Sequence, residues 1–153
     1  SPTKAHDRLD WMIEKATEIG VKEISFVSCK RTERKKINLD RIKRITVSAI
    51  KQSSQYYLPE ISNMVNYQDL VLSIPERQKY IAHLEPDSKQ YLSNLYDNSK
   101  EICIMIGPEG DFTDEEIDFA KKNGFVSVSL GENTLRTETA GVFSVSLINA
   151  LNA

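Results

Sequence analysis

Two short loops in the second half of the chain constrain its fold more than any other feature. Ile106-Gly107-Pro108-Glu109-Gly110-Asp111-Phe112-Thr113 starts where an apolar run ends and leads into a helical pattern. Leu130-Gly131-Glu132-Asn133-Thr134-Leu135-Arg136-Thr137-Glu138-Thr139-Ala140 does the same further on. Strand, loop and helix in repeated succession give parallel strands whose carboxyl ends carry the loops, and open α/β sheets bind ligands there. Gly107 and Gly110 admit a ligand close to the main chain, and Pro108 stiffens the turn between them. Free amides at the following helix start suit an anionic or hydrogen-bonding group. Taken alone, G-P-E-G is equally a tight turn with no ligand. Neither a dinucleotide fingerprint nor a P-loop occurs in the chain.

The rest of the chain alternates in the same way. Residues 7–19 place Leu9, Met12, Ile13, Ala16 and Ile19 on one helical face, with Gly20 able to end it in a left-handed cap. A strand is expected over 23–29. Asn38 can cap a helix carrying Leu39, Ile42, Ile45, Ala49 and Ser53, which ends before Pro59. A short helix at 67–73, a strand at 79–84 and the strongest strand, 101–106, follow, with an ill-defined stretch at 87–98. Thr113-Asp114-Glu115-Glu116 is a capping box opening a helix that stops at Asn123-Gly124. A short strand at 126–129 leads to an apolar, small-residue helix over 137–151, suited to close approach by another helix of the same chain or of a second copy. The fold expected from this alternation is α/β, a parallel sheet flanked by helices on both faces.

With 153 residues the chain fits one domain, long enough to hide roughly 70% of its unfolded surface. Its longest apolar run is far too short to span a bilayer, and no signal-peptide pattern opens it, so no membrane partner and a cytoplasmic location are expected. Cys29 and Cys103 sit in strand-like runs and read as small buried hydrophobes. No Cys or His cluster has metal-ligand spacing, so no metal is expected. The net charge of −2 hides an asymmetry: residues 1–58 carry 13 Lys/Arg against 7 Asp/Glu, and residues 59–153 carry 7 against 15. Lys30, Arg31, Arg34, Lys35 and Lys36 crowd together, and Arg41 and Arg44 follow on the next helix. Such a basic surface attracts RNA phosphate, although a solvated helix face with no partner fits the charge alone as well.

Arg136 is the only Lys or Arg after Lys122, and it stands at a helix start beside Glu138. It can cap a carboxylate or hold an anionic substrate group, phosphate above all. The pattern GPEG-[GD]-F-[ST]-x-x-E-I followed by LG-x-x-x-LRTETA resembles the SPOUT superfamily of methyltransferases, in particular the 16S ribosomal RNA uracil-N3 methyltransferases. Asp7-Arg8 with Glu14-Lys15-Ala16-Thr17-Glu18-Ile19-Gly20-Val21, and Gln52-Ser53 with Leu58-Pro59, extend the resemblance over essentially the whole chain.

The resemblance implies a trefoil knot at the C-terminal end of the parallel sheet, S-adenosylmethionine held bent within it, and a homodimer. It also implies methylation of uridine N3 in 16S rRNA of the small ribosomal subunit. Carried over residue by residue, the cofactor pocket comprises Leu84, Gly107, Glu109, Gly110, Leu130, Gly131, Leu135, Arg136, Thr139 and Ala140. Arg136 is then the first catalytic candidate, steadying the uracil anion or gripping the target phosphate. Glu138 is a general base, or a carboxylate that caps its helix or holds Arg136. Relatives carry an RNA-binding β-barrel ahead of this domain, and Ser1-Pro2-Thr3-Lys4 resembles the join, so that barrel is expected to be missing from this SPOUT domain of residues 1–153. Three departures stand out: Asp111 replaces a usual glycine, and Lys51 and Gln55 replace a common Glu and Arg. Methylation of tRNA or of another rRNA position, and an RNA-binding module without cofactor, remain open alternatives.

Overall fold

The computed structural model describes residues 1–75, 77–83 and 90–153. Helix α1 (His6–Ile19) buries Leu9, Ile13 and Ala16 and ends at Gly20, whose φ of 102° forms the expected left-handed cap. Strand β1 (Glu23–Ser28) leads to α2 (Leu39–Ser53), where the Asn38 side chain accepts from the Arg41 amide at 3.0 Å. Strand β2 (Glu60–Asn66) and helix α3 (Tyr67–Ser73) follow. The second half runs β3 (Gln78–Ala82), α4 (Leu92–Leu95), β4 (Ile102–Ile106), α5 (Asp114–Lys122), β5 (Val126–Val128) and α6 (Thr137–Asn152).

All strand pairings are parallel, as the alternation implies, but among the described residues they form two sheets, β1-β2 and β4-β3-β5. Neighbouring residues of the central strand β3 feed opposite faces, because side chains alternate along a strand. Ile81 joins Val27, Cys29, Val71, Met105, Phe112, Ala120 and Phe125 in one core cluster. Tyr80 packs with Leu92 and Val128 in another, against Leu147 and Ile148 of α6. A third cluster gathers Leu9, Ile13, Phe26 and Ile42 beneath α1 and α2. Ile13, Ile42 and Ile81 are fully buried, each contributing about 1.5–3 kcal/mol of transfer free energy. Cys29 and Cys103 are free, and desolvation raises both thiols to about 11, so they behave as apolar side chains rather than as nucleophiles.

The small residues of α6 serve contact within the chain. A Cβ placed on Gly141 would lie 2.8 Å from Met12 Sδ, so glycine is what lets α6 cross α1 this closely. That crossing brings the amino-terminal turns of both helices together. Strand β2 and helix α4 are elements the sequence reading did not resolve. The strand expected over 79–84 ends at Ala82, and Leu84 lies outside the described residues. No helix among the described residues is long and apolar enough to cross a membrane.

Candidate active site

The carboxyl ends of β1, β4 and β5 open into loops, and the two glycine loops, after β4 and β5, meet. Thr137 Oγ1, in the first turn of α6, donates to the Gly107 carbonyl at 3.1 Å in a buried contact. This bond ties the segment after β4 to the segment after β5. Thr113 caps α5 by accepting from the Glu116 amide, and Glu116 Oε2 accepts from the Thr113 amide at 2.9 Å, the expected capping box. Glu116 Oε1 accepts from the Lys30 amide at 2.7 Å, binding the loop after β1 to the same helix start.

The turn itself is held from several sides. Gly107 is buried, and a Cβ there would meet Asp111 Oδ1 at 3.0 Å and the Phe112 ring at 3.3 Å. Asp111 takes a left-handed φ of 61°, and its Oδ1 accepts from the Phe112 amide at 2.7 Å. The usual glycine at this position is thus replaced by a residue that tolerates the same backbone and adds a local bond. A Cβ on Gly110 would lie 3.3 Å from Arg31 Cδ, and Arg31 Nη1 donates to the Gly110 carbonyl at 2.7 Å and to the Phe112 carbonyl at 3.3 Å. Glu109 Oε1 accepts from the Lys4 amide at 2.7 Å, and the amino group of Ser1 donates to the Ile106 carbonyl at 2.6 Å.

Across from this turn, Leu130 packs on the cluster of Tyr80 and Val128. Gly131 has φ of 151°, donates its amide to Ser129 Oγ, and faces open space where a side chain would stand. Leu135 is half-buried, Thr139 is exposed and Ala140 is buried. Segment 90–92 runs beside this loop: the Ser129 amide donates to the Gln90 carbonyl at 2.8 Å, and Leu92 returns a bond to Ser129.

Next to the paired loops, Asp7, Arg8, Trp11, Arg136, Glu138 and Thr139 line an open cleft of about 490 Å³ between the starts of α1 and α6. Arg136 is the N-cap of α6, with its side chain exposed. Glu138 is 7% exposed. Among the described residues its ion-pair partner is Arg8, with Nε 3.8 Å from Oε1, rather than Arg136. Its Oε2 is buried with no hydrogen-bond partner among the described residues, an arrangement that costs about 1–3 kcal/mol or more for a charged group. Asp7, Arg8 and Trp11 were not identified as cleft residues from the sequence. The available signal was their spacing, which stacks Trp11 on both others along one helical face.

The basic stretch divides into two groups. Arg31 braces the turn. Arg34 Nε donates to the Thr3 carbonyl at 2.6 Å and its Nη2 to the Lys4 carbonyl, while Arg41 Nε donates to Asp10 at 2.9 Å. Lys30, Lys35, Lys36 and Arg44 are exposed, and Arg44 Nε reaches only the Asp40 carbonyl, at 3.3 Å. Gln55 points inward, donating to the Glu18 carbonyl at 3.1 Å, and Lys51 is exposed.

Comparison with known proteins places this geometry. The family model of an RNA methyltransferase domain matches residues 1–149. The chain is 35% identical over 139 residues to ribosomal RNA small subunit methyltransferase E of Mesomycoplasma hyopneumoniae, covering 88% of this chain and 60% of that protein. It is 33% identical over 152 residues to ribosomal RNA small subunit methyltransferase E 2 of Borreliella burgdorferi, covering 94% and 61%. The chain thus spans about three fifths of the length of these relatives. A probable rRNA methyltransferase from Porphyromonas gingivalis superposes with a TM-score of 0.93 at 39% identity, covering 99% of this chain and 65% of that one. A ribosomal RNA small subunit methyltransferase E from Neisseria gonorrhoeae, bound to S-adenosyl methionine, superposes with a TM-score of 0.90 at 31% identity, covering 99% and 63%.

Proposed function

The chain belongs to the RNA methyltransferase domain family, and from that premise we propose that it methylates N3 of a uridine in the 16S RNA of the small ribosomal subunit, with S-adenosylmethionine as methyl donor. The observation that carries this reading is the buried bond from Thr137 to Gly107, which makes one crevice of two loops. The crevice fits the donor on local grounds. Gly131 faces open space, Gly107 and Gly110 keep the turn tight and free of side chains of their own, and Leu130, Leu135 and Ala140 supply apolar surface. These, with Glu109, Arg136 and Thr139, are the residues assigned to holding it. When bound, S-adenosylmethionine supplies a methyl group made electrophilic by its sulfonium sulfur.

The chain's own part is to bring the uracil nitrogen in line and manage its charge. Were the donor bound there, it would supply the methyl group to N3 and keep its sulfur as a thioether, while the N3 proton would pass to solvent or to Glu138. Arg136, exposed at the start of α6, either stabilises the anion left on uracil or grips the neighbouring phosphate. Holding both partners in one cleft removes much of the entropic barrier. Lys30, Lys35, Lys36 and Arg44 offer charge to RNA phosphate without selecting a sequence.

Two further features belong to the proposal. The C-terminal segment is threaded as a trefoil knot, supported by α6 packing against β4 at the far edge of the sheet from β5, with segment 129–136 crossing between them. The active unit is a homodimer, supported by the apolar surface that Phe143 and Leu151 leave open on α6. The direct test is transfer of labelled methyl to small ribosomal subunits, followed by mass mapping of the product. Slow transfer with the label confined to one uridine N3 is expected, the rate falling about a further hundredfold in Arg136→Ala. Label on another nucleotide, or an undiminished Arg136→Ala rate, contradicts the corresponding part.

A further inference from the structure

Within the cleft between α1 and α6, one carboxylate oxygen lacks a partner among the described residues. Glu138 Oε2 is buried and unbonded, whereas buried polar groups in folded proteins are nearly always satisfied. The groups around it are an exposed tryptophan ring, two arginines, a second carboxylate and a threonine hydroxyl: Trp11, Arg8, Arg136, Asp7 and Thr139. Arg8 and Glu138 join α1 to α6 as an ion pair, and Asp7, Trp11, Arg136 and Thr139 flank that pair. A flat apolar ring at a cleft mouth is a stacking surface for a base, and an acceptor at the floor fits a base that presents an N–H.

We propose that this cleft is the subsite for the target base and that Glu138 makes it selective for uracil over cytosine. The proposal rests on the methyltransferase function put forward above and deepens it. Uracil carries a hydrogen on N3, which a carboxylate accepts. Cytosine presents a lone pair at the same position, which a carboxylate repels. Arg8 covers the carboxylate in this structure, but its Nε stands 3.8 Å from Oε1, beyond hydrogen-bond distance, and its side chain is 44% exposed. On base binding the Arg8 side chain shifts enough to admit the imide edge to Oε2, the oxygen it does not contact. Trp11, one helical turn from Arg8 and Asp7, covers one face of the ring. Arg8 and Arg136 then face the carbonyl oxygens or the flanking phosphate.

Trp11 is the only tryptophan of the chain, so its fluorescence reports this cleft alone. The experiment titrates the chain, with S-adenosylhomocysteine present, using two short single-stranded RNAs that differ only in a central uridine or cytidine. The uridine RNA is expected to quench Trp11 at least about tenfold more tightly than the cytidine RNA. In Glu138→Gln the preference should shrink to about twofold, because an amide both donates and accepts. In Trp11→Ala, followed by calorimetry, uridine RNA binding should weaken about tenfold or more.

Equal affinities in the unaltered chain, no quenching by either RNA, or an unchanged preference in Glu138→Gln each overturns the assignment. Calorimetric titration with S-adenosylmethionine separates the two levels. Normal cofactor binding with failed RNA discrimination rejects only the base subsite, whereas failed cofactor binding by the unaltered chain rejects the proposed function. A Glu138→Gln chain that has lost its cofactor binding shows the carboxylate to be a structural prop, and that too overturns the proposal.

Discussion

At the residue scale the site depends on a few side chains that hold backbone rather than ligand. Thr137 is the central one, since its hydroxyl donates to the buried Gly107 carbonyl. Thr137→Val keeps the shape and removes the donor, so a loss of about 1–3 kcal/mol is expected, read from urea denaturation. Unchanged stability would mean that the loops are held elsewhere. Gly107, Gly110 and Arg136 were read as parts of one crevice because the spacing of both loops was familiar, but Thr137, which ties the loops together, was not singled out. The partner of Glu138 was not legible. Sequence proximity pointed to Arg136, whereas the structure supplies Arg8 from the opposite end of the chain, and no local pattern encodes a contact made only when α1 crosses α6. Arg31 and Arg34 are similar cases. Their charge was visible, but their hydrogen bonds to the carbonyls of Gly110 and Thr3 were not.

At the element scale the reading succeeded where periodicity and caps agree. Asn38, Gly20 and the Thr113 capping box mark helix ends that the structure reproduces. It failed at β2, whose apolar residues Ile61, Met64 and Val65 do not alternate. A register shift opposite Ile24 and Phe26 explains why: a bulge breaks the two-residue period that reveals a strand. Helix α4 covers only Leu92–Leu95, too short for a helical pattern to build up. The single expected sheet appears, among the described residues, as two parallel sheets that share the core around Val27 and Ile81. The trefoil path proposed for β5 to α6 has no counterpart in local sequence, because threading is a property of how segments pass one another. A cofactor-bound crystal structure is expected to trace that path with a twofold-related copy against α6. An untied path, or a monomer in solution, would contradict those parts of the proposal.

At the scale of the whole molecule, charge and site are set on common ground. The loop after β1 carries the exposed Lys30, Lys35 and Lys36 from the basic first part of the chain, and its Arg31 reaches the glycine turn of the acidic second part. Replacing Lys35, Lys36 and Arg44 together by alanine is therefore expected to lower the salt slope of RNA binding by roughly 2–3, while leaving the brace on the turn intact. An unchanged slope would return these residues to the role of solvated surface.

The account as a whole depends on the joined loops holding a methyl donor, and isothermal titration of the chain with S-adenosylmethionine tests that most directly. Saturable binding is expected, weakened in Thr137→Val, where the link between the loops is cut. Absence of saturable binding by the unaltered chain would contradict it.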